Sequence, residues 1–304
     1  MALDQDMQVI VDAVNRAAAS APADPTVAER RQGYLALAGF AGRGPDLDEV
    51  EDSTIDGPAG PIPVRLYRNR GAIGLMLFFH GGGYCIGDLD THDQVCRQLA
   101  TEADCAVLAV DYRLAPEHPF PAGVEDAWAA LVHADARRTE LGGEGSGLVV
   151  CGDSAGGNLA TVTALMARDA GIAVAGQLLV YPGVKIDDDS PSMSRFGSGY
   201  VLERPTMDWF MDSYAADPAD WRASPAYAPD HSGLPPTLVV TAEYDPIGDQ
   251  GRAYAAQLAA AGVDVTHRDV EGVVHIFFQL GPLVAKGAQT VSQTAAFARA
   301  CLDA

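Results

Sequence analysis

Residues 147–170 read GLVVCGDSAGGNLATVTALMARDA, with Ser154 held between Gly152 and Gly156. The apolar run before the serine predicts a short buried strand and the small-residue run after it a helix, so G-x-S-x-G falls on a strand-to-helix turn. A turn that sharp strains the serine backbone by roughly 1–3 kcal/mol and leaves no room for a β-carbon at either glycine. It also aims the free amides of a helix start at the space beside the hydroxyl, where negative charge would develop during attack on a carbonyl. The chemistry this predicts is nucleophilic acyl transfer. A second stretch, FFHGGGYCIGDL at 78–89, ends another apolar run. Bare backbone at Gly81, Gly82 and Gly83 gives up burial but lets amides approach an oxyanion to about 2.7–3.1 Å, and an HGGG loop is used that way beside such an elbow. Gly81 and Gly82 are expected to donate from the loop, and Ala155 from the residue after the nucleophile.

A serine hydroxyl needs a base, and the base needs an orienting carboxylate. Among the seven histidines, His275 in EGVVHIFFQ follows the last apolar run, where a loop can carry it over the strand ends. His267 falls within a strand pattern, His92, His118 and His133 precede the serine in helical or proline-rich contexts, and His231 lies in a polar loop. For the acid, TLVVTAEYDPIGDQ offers Glu243, Asp245 and Asp249. Asp245 is the best placed, because it lies just past the strand and Pro246 stops that strand, whereas Glu243 is nearer the strand end and Asp249 inside the next helix. The chain order Ser154, Asp245, His275 is that of α/β hydrolases rather than of chymotrypsin or subtilisin. Asp153 is a candidate to support the glycine loop through its backbone. DYRLAPEHPFPA at 111–122 looks catalytic, but its prolines and paired charges are read as fixing the chain route after a strand.

Apolar runs near 49–55, 62–68, 73–79, 105–111, 147–151, 173–181, 237–242 and 263–270 read as strands, and 91–104, 122–138, 155–170, 248–261 and 283–302 as helices. Their alternation predicts an α/β fold, a mostly parallel eight-stranded sheet covered on both faces. Met7, Ile10, Val11 and Val14 follow the spacing of one apolar helical face. Residues 15–47 read as a link, and 185–220 break the alternation. Residues 1–47 are therefore assigned to N-terminal lid helices and 48–304 to a catalytic domain, with a further lid insertion near 185–220.

The chain has 304 residues, 48% of them hydrophobic, with 20 basic and 41 acidic residues for a net charge of −21. That acidity argues against nucleic acid or an anionic membrane surface as partner. Five cysteines without framework spacing indicate neither a disulfide scaffold nor a zinc site. No signal peptide or membrane anchor is recognised in the sequence, and a cytoplasmic protein is expected.

With these motifs in place, the sequence resembles the hormone-sensitive-lipase-like family of bacterial esterases, within the α/β-hydrolase fold. The resemblance rests on HGGGYCIGDLDTHD, DYRLAPEHPFPAGVEDAW, CGDSAGGNLA, GYVLERPTMDWFMDSYA, ASPAYAPDHSGLPPTLVVTAEYDPIGDQGRAYAAQL and VTHRDVEGVVHIFF. It implies a serine carboxylesterase for short- to medium-chain acyl esters, working through an acyl-enzyme with Ser154, His275 and Asp245, and Gly81, Gly82 and Ala155 as oxyanion donors. No cofactor or metal is implied, the partner is a small-molecule ester, and a homodimer is expected. One departure is local: the family usually has glycine after the catalytic histidine, and here Ile276 follows. Candidate substrate contacts are Tyr84, Trp209, Phe210 and Ile276, with Met7, Ile10 and Tyr214 as further pocket liners. An amidase or carbamate hydrolase with the same triad is the alternative. A non-catalytic small-molecule binder of this fold is a third reading, against which the retained His275 speaks.

Overall fold

A computed structural model describes residues 2–303 apart from 21, 23 and 143–146. Eight strands form one sheet: β1 (Glu49–Gly57), β2 (Gly60–Arg68), β3 (Gly74–Phe79), β4 (Ala106–Val110), β5 (Gly147–Asp153), β6 (Gly176–Val180), β7 (Thr237–Tyr244) and β8 (Val265–Val274). Their order is β1-β2-β4-β3-β5-β6-β7-β8, with β2 antiparallel to both its neighbours and every other pair parallel. The helices are α1 (Gln5–Ala18), α2 (Val27–Gly39), α3 (Asp93–Glu102), α4 (Ala122–Ala136), α5 (Arg138–Leu141), α6 (Ala155–Ala170), α7 (Pro191–Phe196), α8 (Arg204–Tyr214), α9 (Gly248–Ala260) and α10 (Ala285–Leu302).

Successive side chains on a strand point to opposite faces, so continuous apolar strands must feed two cores. Leu75, Leu77 and Phe79 join Leu148, Val150, Leu179 and Val239 on one face, beneath residues of α4, α6 and α9. Met76, Phe78, Val149, Cys151, Leu178 and Val240 point the other way, against α3, α10 and α1. Burial on both faces explains why these strands lack polar alternation. Because the central strands are parallel, the loops leaving their C-terminal ends converge at one edge of the sheet, where ligand sites of open α/β sheets lie.

The link expected over residues 15–47 is overturned by α2. Its residues carry no apolar stripe and only Ala38 is buried, so periodicity is silent there. The usable signal was local: Thr26 and Glu29 form a capping box in which each side chain accepts from the other's backbone amide. Tertiary bonds hold the helix. Arg31 grips Glu117 with two hydrogen bonds of 2.9 and 2.7 Å and donates to the Cys85 carbonyl, while the Tyr34 hydroxyl donates to Gln279 Oε1 at 2.9 Å. The break in alternation after β6 corresponds to α7 and α8.

The DYRLAPEHPFPA segment is tied to α4 and α2, since Arg113 holds the buried Asp126 at 2.8 Å and Glu117 holds Arg31. Asp111 within it is poorly compensated. Burial, then the like charges of Asp88 and Asp90, push its carboxyl from 3.8 up to about 6. A folded-state acid raised in this way costs nothing below its unfolded value, and the cost grows between pH 3.8 and about 6 and is complete above that. Asp111→Asn is therefore expected to stabilise the protein by about 2–3 kcal/mol at pH 8 and hardly at all at pH 4. Urea unfolding at the two pH values reads this directly, and an equal effect at both would remove the charge explanation.

Candidate active site

Ser154 joins β5 to α6 with φ 54° and ψ −118°, a left-handed conformation that a non-glycine residue adopts only under constraint. The constraint is close packing. A β-carbon on Gly152 would collide with the Gly156 carbonyl, and one on Gly156 with the Phe79 carbonyl. The serine backbone is pinned as well: its amide donates to Val180 O at 2.9 Å, and its carbonyl accepts from Gly183 and Asn158 at 3.1 Å each. The turn thus costs strain at one residue, held by two glycines and the neighbouring strands.

The loop after β8 carries His275 over the strand ends, with its Nε2 2.9 Å from Ser154 Oγ. Its Nδ1 lies 2.8 Å from Asp245 Oδ2, just beyond β7. The other carboxylate oxygen, Asp245 Oδ1, accepts from the Ile247 amide at 2.9 Å, which fixes the rotation of the group. Asp245 is fully buried and His275 is 3% exposed. With the ring proton on Nδ1 donating to Asp245, Nε2 is left to accept from the serine hydroxyl. The two competing carboxylates are engaged elsewhere: Glu243 accepts from the Gly272 amide, and Asp249 accepts from the Ser192 amide and Arg252.

The glycine loop differs from expectation at its first member. The Gly81 amide donates to Asp153 Oδ1 at 2.9 Å, so it is committed to a carboxylate and turned from the role expected of it. Gly82 and Gly83 instead line the cavity at Ser154, both with positive φ (122° and 58°). Ala155 also faces the space at the serine.

Asp153 is the hub behind this loop. It is 1% exposed, lies 3.1 Å from His92 Nε2, and receives a long 3.5 Å bond from the Tyr181 hydroxyl. Burial alone would raise its carboxyl, but the His92 and His80 rings and the Gly81 amide outweigh it and hold the group below its usual range. Sequence position gave His92 no part here, as it precedes the serine by 62 positions, from 92 to 154. Asp153→Ala is expected to lower kcat about 10- to 100-fold while KM changes little, because a loosened loop misplaces donors needed only in the transition state. Steady-state kinetics with a parallel thermal melt check this. Normal kcat in a protein of unchanged stability would leave Asp153 without a positioning role.

Two cavities open on Ser154. The larger, about 250 Å³, is walled by Val14 of α1, Arg30, Tyr34 and Leu37 of α2, Trp209 and Phe210 of α8, and His275 and Ile276. The Arg30 guanidinium lies 4.3 Å over the Trp209 ring at its wall. The smaller, about 80 Å³, is bounded by Tyr84, Ala155, Ile186, Met207 and Met211. Trp209, Phe210, Ile276 and Tyr84 are thus all at the site. Met7 and Ile10 are not: they pack into the core beneath, and Val14 one turn on from Ile10 reaches the cavity instead. Tyr214 stands behind Tyr84, stacked on its ring at 3.8 Å. The contributions of α2 were missed with the helix itself. Ile276 holds φ 71°, a costly conformation for a β-branched residue and a physical reason for glycine to be common there.

Comparison with known proteins gives a consistent picture. A family model described as the alpha/beta hydrolase fold matches residues 76–279. The carboxylic ester hydrolase LipN of Mycobacterium tuberculosis is 45% identical over 260 residues, covering 80% of this chain and 69% of that protein. An ethyl acetate hydrolase of Pseudomonas putida is 40% identical over 267 residues, 84% of each chain. Among solved structures, a hyperthermophilic esterase of the archaeon Pyrobaculum calidifontis superimposes with a TM-score of 0.90 at 38% identity, covering 99% of both chains.

Proposed function

The chain belongs to the family of the alpha/beta hydrolase fold, and from that premise we propose that it is a serine carboxylesterase acting through an acyl-enzyme on short- to medium-chain acyl esters. The observation that carries this reading is the continuous relay from Asp245 through His275 to Ser154 Oγ, at 2.8 and 2.9 Å, opening on an apolar cavity. Relatives named for ester hydrolysis support the same bond type.

In this mechanism Ser154 Oγ attacks the ester carbonyl as His275 Nε2 takes its proton. Asp245 keeps the other ring proton on Nδ1 and stabilises the imidazolium that forms. The developing oxyanion is held by the amides of Gly82, Gly83 and Ala155, the last at the positive end of α6. His275 returns the proton to the leaving alkoxide, the alcohol departs, and a water activated by the same ring nitrogen releases the acid. Nothing in these steps calls on a metal or a cofactor.

Helices α1, α2, α7 and α8 act here as a lid, the 1–47 and 185–220 segments, over a catalytic body of 48–304. All five cysteines are unpaired, which supports a reducing, cytoplasmic setting, and among the described residues no helix is long and apolar enough to cross a membrane. The homodimer rests on family resemblance alone. Hydrolysis of p-nitrophenyl esters from acetate to palmitate tests the activity, with turnover expected on the shorter members. A folded protein that cleaves matched anilides and spares every ester would turn the reading to an amidase.

A further inference from the structure

A tetrahedral adduct on Ser154 Oγ carries three other substituents on the former carbonyl carbon: the oxyanion, the leaving alkoxy oxygen and the acyl chain. The oxyanion points to the loop and helix amides. The alkoxy oxygen must lie near His275 Nε2, because that nitrogen protonates it as the bond breaks. The acyl chain takes the direction that remains.

These constraints distinguish the two cavities. His275 and Ile276 belong to the wall of the 250 Å³ cavity and to no part of the wall of the 80 Å³ one, which is built on Ala155 and Tyr84. Phe210 is the largest side chain that borders both. It is 6% exposed, its ring lies so close over Gly83 that a β-carbon there would strike it, and its carbonyl lies 3.8 Å from Cys85 Sγ. The two cavities meet at Ser154, where Gly83, Leu202 and Phe210 border both.

We propose that the preferred substrates join a short acyl group to a larger apolar alcohol, with the acyl chain in the small pocket under Ile186 and Met211 and the alcohol in the large cavity under α1, α2 and α8. This rests on the esterase reading and narrows it. The arrangement also suits deacylation: departure of the alcohol empties the His275 side, where the hydrolytic water must be activated, while the acyl group stays out of the way. Phe210 is the specificity-determining residue at the border of the two.

The test uses two series of unactivated esters with the wild-type protein, ethyl esters from acetate to octanoate and acetates from ethyl to octyl. The expected kcat/KM falls by about tenfold or more between butanoate and octanoate and holds or rises along the alcohol series. Two single variants, Met211→Ala and Ile186→Ala, enlarge the small pocket from partly exposed positions. Either is expected to raise the octanoate-to-butanoate ratio about fivefold or more without moving the octyl-to-ethyl ratio. Thr206→Trp, which fills the large cavity, is expected to depress only the octyl acetate end. Crossed effects, with the small-pocket variants relaxing the alcohol series, would overturn the assignment, as would a wild-type acyl series with no break. If the folded wild type cleaves no ester in either series, the hydrolase reading itself falls and this proposal falls with it.

Discussion

Ser154→Ala is expected to reduce kcat on p-nitrophenyl butanoate by about 10⁴–10⁶ while leaving circular dichroism and the melting temperature close to wild type. The size of the effect follows from the proposed acyl-enzyme route, since a water in the emptied site would have neither the position nor the alignment of Oγ 2.9 Å from His275. The small structural cost follows from packing. The strain at φ 54° is imposed on the backbone by Gly152, Gly156 and the hydrogen bonds to Val180 and Gly183, none of which involves the hydroxyl. A residual rate above that of water is expected, because the amides of the loop and of α6 still polarise a bound carbonyl. A folded variant that retains most of its turnover would exclude Ser154 as the nucleophile.

The second large effect is expected at Asp245. Asp245→Asn keeps the shape of the group, and its fully buried position leaves little freedom to turn. The Ile247 amide already donates to Oδ1, so the asparagine carbonyl oxygen is held at that position and its NH₂ faces His275 Nδ1. That arrangement forces the ring proton onto Nε2, where it can no longer accept from Ser154. A loss in kcat of about 10⁴ with little change in KM is expected. Asp249→Asn is the control, because Asp249 pairs with Ser192, Arg195 and Arg252 and serves the packing of α7 on α9. Its kcat is expected within about threefold of wild type, since surface-side pairs of this kind contribute modestly. Equal losses in the two variants would mean that a general disturbance of the loop after β7, and no specific tautomer, explains the result.

Much of the catalytic frame was legible because its signals are local. A strand buried on both faces must be apolar along its whole length, so LMLFF, AVLAV and LVVC announce themselves as central strands. A turn that cannot hold a β-carbon must place glycine at Gly152 and Gly156. Asp245 could be preferred over its neighbours because a residue just past a parallel strand faces the ligand edge.

Other features had no local mark. α2 buries almost nothing of its own and is held by Arg31 and Tyr34 reaching partners far along the chain, so periodicity could not find it, although its capping box was readable. Gly81 and Gly82 look equivalent in sequence. Asp153, 72 residues away, accepts from the Gly81 amide, while Gly82 lines the cavity. His92 joined the site for the same reason, through its 3.1 Å approach to that carboxylate.

The sequence by itself determined the order of the strands and of the helices between them, the strained serine turn, the glycine loop, and the candidate histidine and carboxylate, because each depends on side-chain periodicity or on backbone sterics within a few residues. Only the tertiary structure decided that the Gly81 amide is taken, that Asp153 is the carboxylate that takes it, and that two cavities of unequal size meet at Ser154. Those outcomes depend on the pairing of buried polar groups and the meeting of surfaces from distant segments, and a buried donor or acceptor takes whichever partner the fold brings within reach.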